Sequence, residues 1–209
     1  MFYETARNDH GLPHDPFKSC IVPRPIGWIT TLSRSGVVNL APYSFFNGVA
    51  SDPPMVMFAC LGPEARPSKD TLINCEQTGE FVCNMATWDL REAMNRTSAA
   101  VPHGTDEMAL AGLESAPSRL VGPPRVKDAP IHLECTVHQI VDLPCTDPGG
   151  RNAVVIGRVV GVHIRDDVLS DGRIDMAKVR PIARLGYMDY TSVDHVFTML
   201  RPEVEPASS

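Results

Sequence analysis

Short apolar, β-branched runs broken by Gly, Pro, Asn and Asp recur along this chain, a pattern that predicts strands and hairpins with few helices. Residues 26–32 (Ile-Gly-Trp-Ile-Thr-Thr-Leu) read as the first strand; Ser33-Arg34-Ser35-Gly36 reads as a turn, and residues 37–40 return as the hairpin partner. An uncharged, aromatic stretch at 41–47 follows, Asp52-Pro53-Pro54 stops it, and residues 55–61 read as a buried strand. Residues 68–79 read as a helix, with Ser68 as N-cap, Leu72, Ile73 and Cys75 facing inward, and Gly79 as its stop. A strand at 81–85 comes next, then a second helix that starts at Thr87 or Asp89 and runs through Met94. Residues 97–118 are rich in Ala, Ser, Pro and Gly and read as a mobile excursion. Two long strands, 131–143 and 153–165, are joined by 144–152, where Asp147-Pro148-Gly149-Gly150 supplies turn chemistry. Strands in hairpins with a few peripheral helices spell a mainly β (α+β) domain built on an antiparallel barrel. The expected organisation is an arm at 1–19, one domain at 20–195 and a tail at 196–209, without an internal repeat or a second core.

Composition sharpens this. Of 209 residues 19 are proline, about twice the usual ~5%, which argues against a helical bundle. The 43% apolar content supports a real core and excludes a disordered chain. With 25 acidic and 19 basic side chains the net charge is -6, and no basic stripe marks a nucleic-acid face. The uncharged run at 35–51 contains Asn39, Pro42 and Asn47 and does not read as a membrane span. Polar residues after Met1 do not read as a signal sequence, so a cytoplasmic setting is expected, with the six cysteines reduced and mostly in the core. No C-x-x-C pair occurs, and His132, Cys135 and His138 alternate faces on a strand, so no metal site is expected. Gly-rich nucleotide fingerprints and a nucleophile elbow are also missing from the sequence.

Three polar segments stand where a plain β-protein would not need them. Thr30 and Thr31, near Ser33, carry adjacent hydroxyls suited to an oxyanion, although threonine also simply favours strands. In Asn39-Leu40-Ala41-Pro42-Tyr43-Ser44-Phe45-Phe46-Asn47, small Ala41 and rigid Pro42 allow a flat ring close to the backbone. Asn39, Ser44 and Asn47 offer polar contacts there, and Phe45 and Phe46 either wall an aromatic ligand or fill the core. Ser68-Lys69-Asp70-Thr71 opens a helix, whose free N–H groups and dipole suit a phosphate; a capped surface helix has the same signature.

Taken in order, Pro23-Arg24-Pro25-Ile26-Gly27-Trp28-Ile29-Thr30-Thr31, the 39–47 block, Asp52-Pro53-Pro54 and Lys69-Asp70-Thr71 resemble the flavin reductase-like, FMN-binding split-barrel family in its flavoredoxin-like branch. Asn74, Thr78 to Asn84, Gly157 to Ile164 and Arg184 to Tyr190 continue the resemblance, which spans about residues 20–190. It implies a split β-barrel that homodimerises with FMN near the subunit interface. Carried over by position, Thr30 and Thr31 lie close to the flavin tail, and Asn39, Ala41, Pro42 and Ser44 line the ring and ribityl chain. Lys69, Asp70 and Thr71 meet the phosphate. Arg184, Tyr187 and His163 lie near the exposed flavin edge, contributed from either subunit; a paired strand histidine is the other reading of His163. The implied activity is hydride or electron transfer between NADH or NADPH and flavin or another acceptor, with no side chain required as acid or base. Two alternatives stay open: an FMN-bound electron carrier without its own nicotinamide site, serving a redox partner, and a non-catalytic split-barrel binding protein.

Overall fold

The computed structural model describes residues 1–62 and 69–202. After a single 3-10 turn at Phe17–Cys20 come β1 (Arg24–Pro25), β2 (Gly27–Leu32), β3 (Val38–Tyr43), β4 (Phe46–Ser51) and β5 (Pro54–Cys60). Helix α1 (Asp70–Thr78) precedes β6 (Glu80–Met85), and α2 (Arg91–Arg96), α3 (Glu107–Leu110), β7 (Ser115–Ala116) and β8 (Arg125–Val126) follow. The long pair is β9 (Ile131–Leu143) and β10 (Asn152–Ile164). Later elements are β11 (Leu169–Ser170), β12 (Arg173–Ile174), α4 (Met176–Val179), β13 (Ile182–Arg184) and β14 (Tyr190–Ser192).

Seven strands form one sheet in the order β3-β2-β6-β9-β10-β5-β4, and every neighbouring pair is antiparallel. The two edge strands, β3 and β4, are consecutive in the chain, with only Ser44 and Phe45 between them. The sheet therefore curls until its edges meet, yet no ladder joins them: the barrel is split along one seam. At that seam the ring of Phe46 lies where Gly27 has no side chain; a Cβ on Gly27 would stand 2.6 Å from it.

Strand β2 is buried at five successive positions because both its faces are covered. Ile29 points into the barrel with Tyr43, Phe58, Phe81 and Val155, a cluster that Leu72 and Cys75 of α1 join. Trp28 points to the outside cluster with Leu40, Met94, Met108 and Ile182, where α2 and α3 pack. Cys60, Cys75, Cys83 and Cys135 are buried and all six cysteines are free. Gly79 ends α1 in the left-handed conformation, its N–H donating to the Cys75 carbonyl.

Three features differ from the sequence expectation. The second helix starts at Arg91, because Thr87 is held in a β-bridge to Pro181 and its carbonyl accepts the Leu90 N–H in a turn. Buried positions in α1 are Thr71, Leu72, Asn74 and Cys75, whereas Ile73 is half-buried; Asn74 is tolerated inside because its amide donates to Thr31 Oγ1 at 3.0 Å. The proposed cap Ser68 lies outside the described residues. The 97–118 segment, expected to be mobile, is tied down: Thr97 Oγ1 accepts from Trp28 Nε1, Asp70 holds His103 and Gly104, and Glu107 accepts from the Leu40 N–H.

A second set of buried polar groups fixes the loop before β9. Glu134, fully buried on β9, accepts the N–H groups of Arg119 and Leu120 and pairs with His163 Nε2 at 2.5 Å. Burial alone would raise its pKa, but these donors bring it below the ordinary carboxylate value. Its neighbour His132 donates from Nε2 to the Val126 carbonyl at 2.8 Å, and its Nδ1 has no partner. Burial, aided by the nearby Arg125, His163 and Arg165 side chains, pushes His132 down to about 4, against the Val126 bond. The unfolded histidine takes up a proton near pH 6.5 and the folded one does so only near 4. Stability therefore falls as pH drops through that window, by up to ~3 kcal/mol, while Glu134 contributes its loss lower still. Denaturant titrations across pH 4–7 are expected to show this slope, and His132→Gln is expected to flatten it.

Candidate functional site

The start of α1 and the second half of β3 face one cavity of about 350 Å³, within the range of small-molecule sites. Its lining includes Asn39, Ala41, Pro42 and Tyr43 from β3, Lys69, Asp70 and Thr71 from the helix start, and residues 97–101 with Glu107 from the excursion. One side-chain amide sets this geometry: Asn39 Nδ2 donates to Thr71 Oγ1 at 2.8 Å and to Thr31 Oγ1 at 3.2 Å. Together with Asn74, it pins the helix start to β2 and β3.

The electrostatics are mixed. Lys69 stands 5.7 Å from the Tyr43 ring centre, and the helix start adds partial positive charge. Tyr43 is buried; burial first, then the nearby Cys60, pushes its pKa well above ordinary, so it stays neutral. Among the described residues two carboxylates face the cavity. Asp70 is drawn toward the excursion by His103 Nδ1 at 2.5 Å and the Gly104 N–H at 3.0 Å. Glu107 is buried; burial raises its pKa, partly offset by the Leu40 N–H. The cavity thus offers small flat backbone on one wall, a cationic helix start at one end and amide and hydroxyl groups between them.

The other residues singled out from the sequence are placed elsewhere. Thr30 and Thr31 are fully buried and do not line this cavity. Thr30 Oγ1 accepts from Asn84, and Thr31 Oγ1 from Asn39 and Asn74. Ser44 sits in the link between β3 and β4. The Arg24 guanidinium lies 5.6 Å from the Phe45 ring centre, while Phe46 packs against the barrel core. Arg184 lines a different cavity; it donates to the Tyr190 hydroxyl and to the Tyr187 carbonyl. His163 belongs to the Glu134 pair described above. Residues 97–101 and Glu107 were not assigned from sequence. Their weak signal was a small-residue stretch followed by Asp106, which caps α3 by accepting from Ala109 N–H.

The flavin reductase-like domain profile matches residues 19–189. This chain belongs to the flavin reductase-like domain family. An uncharacterized protein of Halalkalibacterium halodurans is 37% identical over 187 residues, 88% of each chain. Among solved structures, nitrilotriacetate monooxygenase component B from Bacillus cereus superposes with a TM-score of 0.87 at 31% identity, covering 95% of this chain and 98% of that one. The 2-nitrobenzoate 2-nitroreductase NbaA of Pseudomonas fluorescens gives 0.84 at 26% identity, with both chains fully covered. The antiparallel split barrel is thus the fold of this family.

Glu107 ties the excursion to β3 through the Leu40 N–H. Glu107→Ala leaves that buried donor unpaired and is expected to cost ~1–3 kcal/mol in urea unfolding. Glu107→Gln retains an acceptor and is expected to lose less than half as much.

Proposed function

We propose that this chain is an FMN-binding oxidoreductase of the flavin reductase type, using NADH or NADPH as hydride donor and working as a homodimer. The observation that carries the reading is the single cavity in which β3 presents Asn39, Ala41 and Pro42 and the start of α1 presents Lys69, Asp70 and Thr71, in a chain of the flavin reductase-like family. The donor set fits FMN. Ala41 and Pro42 leave room for a planar ring beside a strand, Asn39 and Thr71 offer polar contacts to a polyol, and Lys69 at a helix start suits a phosphate. The unfavourable charge of Asp70 is taken up by His103 and the Gly104 N–H.

Bound FMN would supply the redox chemistry, accepting a hydride and passing electrons on. The protein's part is to bind, orient and exclude water. Lys69 and the first turn of α1 hold the phosphate end. Asn39, itself fixed by Thr31 and Thr71, positions the tail. Residues 97–101, tied through Thr97 to Trp28, close the opposite wall against solvent. Neutral Tyr43 exchanges no proton at physiological pH. Thr30 and Thr31 act behind the site, by holding Asn84, Asn39 and Asn74.

Arg184 and Tyr187 do not line this cavity, so their part at the flavin edge requires a second copy of the chain. Val162 and Ile164 are exposed two positions apart on β10, so they share one face; with exposed Val160 at the adjoining bulge, they form an apolar surface that supports such a pairing. A cytoplasmic setting belongs to the same reading; no helix among the described residues is long and apolar enough to cross a membrane.

Lys69→Ala is expected to weaken FMN binding about tenfold or more with unchanged circular dichroism, as read by quenching of flavin fluorescence; unchanged affinity would remove the phosphate assignment. Anaerobic stopped-flow mixing of the flavin-loaded protein with NADH or NADPH is expected to bleach the flavin absorbance directly. Bleaching only by dithionite or by an added redox protein would favour the electron carrier.

A further inference from the structure

A second cavity of about 370 Å³ shares no lining residue with the first among the described residues. Trp88, Arg91 and Met94 from the α2 region and Ile182, Arg184 and Tyr190 from the small sheet of β13 and β14 form its walls. Two guanidinium groups lie over aromatic rings here: Arg91 at 4.1 Å from the Trp88 ring centre and Arg184 at 4.5 Å from that of Tyr190. Part of each edge is already committed, Arg91 Nη1 to the Trp88 carbonyl and Arg184 to the Tyr190 hydroxyl, the Tyr187 carbonyl and the Met188 sulfur; the N–H groups left over from the five of each guanidinium can meet a carboxylate while its face is occupied by the ring. Among the described residues Glu92 is the one carboxylate in the lining, and it stands 3.6 Å from Arg91. Arg180, 5.5 Å from the Trp88 ring centre on its own account, adds further positive charge, partly met by Asp89 at 3.5 Å. In a chain of net charge -6, this gathering of arginines on exposed aromatic surface attracts anions.

The rim carries a strained residue. Tyr187 has a φ of 55°, an uncommon conformation for a bulky side chain, and Arg184 holds its carbonyl. That bond presents the strongly exposed Met188 at the mouth of the cavity. Held strain of this kind concentrates at ligand clamps, and within its own chain Tyr187 belongs to neither the flavin cavity nor the barrel core.

We infer that this cavity binds a planar aromatic carboxylic acid, its ring against the apolar walls and its carboxylate met by Arg91 and Arg184. The two tryptophans of the chain provide the readout. Trp88 lines the cavity, whereas Trp28 is fully buried and donates its indole N–H to Thr97. The intact, nitrogen-15-labelled protein is titrated with sodium benzoate and, separately, with benzamide, with and without saturating FMN. The two indole N–H resonances are followed, with Trp88 assigned by Trp88→Phe. The expected result is a saturable shift of Trp88 alone, half-complete at about a millimolar, about tenfold weaker with benzamide, and unaffected by FMN. Arg91→Gln combined with Arg184→Gln is expected to weaken benzoate about tenfold while the Trp28 resonance stays in place, reporting an intact fold. A Trp88 resonance that does not move, or that moves equally with benzamide, would overturn the inference. So would a shift abolished by FMN, which would make the cavity a seat for the flavin ring, or one abolished by raising protein concentration, which would make it a contact between copies. Because FMN binding is measured in parallel, failure here is separable from failure of the proposed flavin site.

Discussion

The side-chain amide of Asn39 donates to Thr31 on β2 and to Thr71 on α1, and the amide of Asn74 returns to the same Thr31 oxygen. All four side chains are buried, where each such bond is costly to leave unmade. They decide where the helix starts relative to the strand. A capped helix elsewhere on the surface would carry the same Lys69-Asp70-Thr71, but it would not face Ala41 and Pro42. The cavity exists because the polar link fixes that angle while Leu72 and Cys75 of the helix close the barrel interior.

The split barrel makes this arrangement possible. Strands β3 and β4 are both edges of the sheet and are joined by two residues, so the seam lies beside the strand that lines the cavity. Burial on both faces of β2 leaves the inner strand rigid. The excursion at 97–118 then covers the cavity from outside, anchored at Thr97, Asp70 and Glu107. Barrel, helix start and excursion each supply one wall, in a chain whose sequence places it in the flavin reductase-like family.

Much of this was legible beforehand, for identifiable reasons. Strands with β-branched runs and Pro or Gly stops were readable because their signals are local, and so were α1 and its Gly79 terminus. The segments 39–42 and 69–71 were readable as a pair only through resemblance, since nothing local says that a strand and a helix start 30 residues apart in sequence share a cavity. Thr30 and Thr31 show the limit of reading hydroxyls from sequence: on a strand buried on both faces they serve as internal acceptors. Glu107 could not be found because its partner, the Leu40 N–H, is 67 positions away. The second helix was misplaced because a long-range bridge from Thr87 to Pro181 overrode a good local start signal.

The prolines take on a position-specific meaning in this structure. Pro42 sits within an edge strand, and Pro54 at the first position of β5, both places where a missing N–H is tolerated. The account as a whole rests on the claim that the cavity between β3 and α1 holds FMN, and the absorbance spectrum of the purified, dialysed protein tests it most directly. The account predicts a yellow protein, or one that becomes yellow with added FMN and retains about one flavin per chain through dialysis. A colourless protein from which added FMN dialyses freely would contradict it.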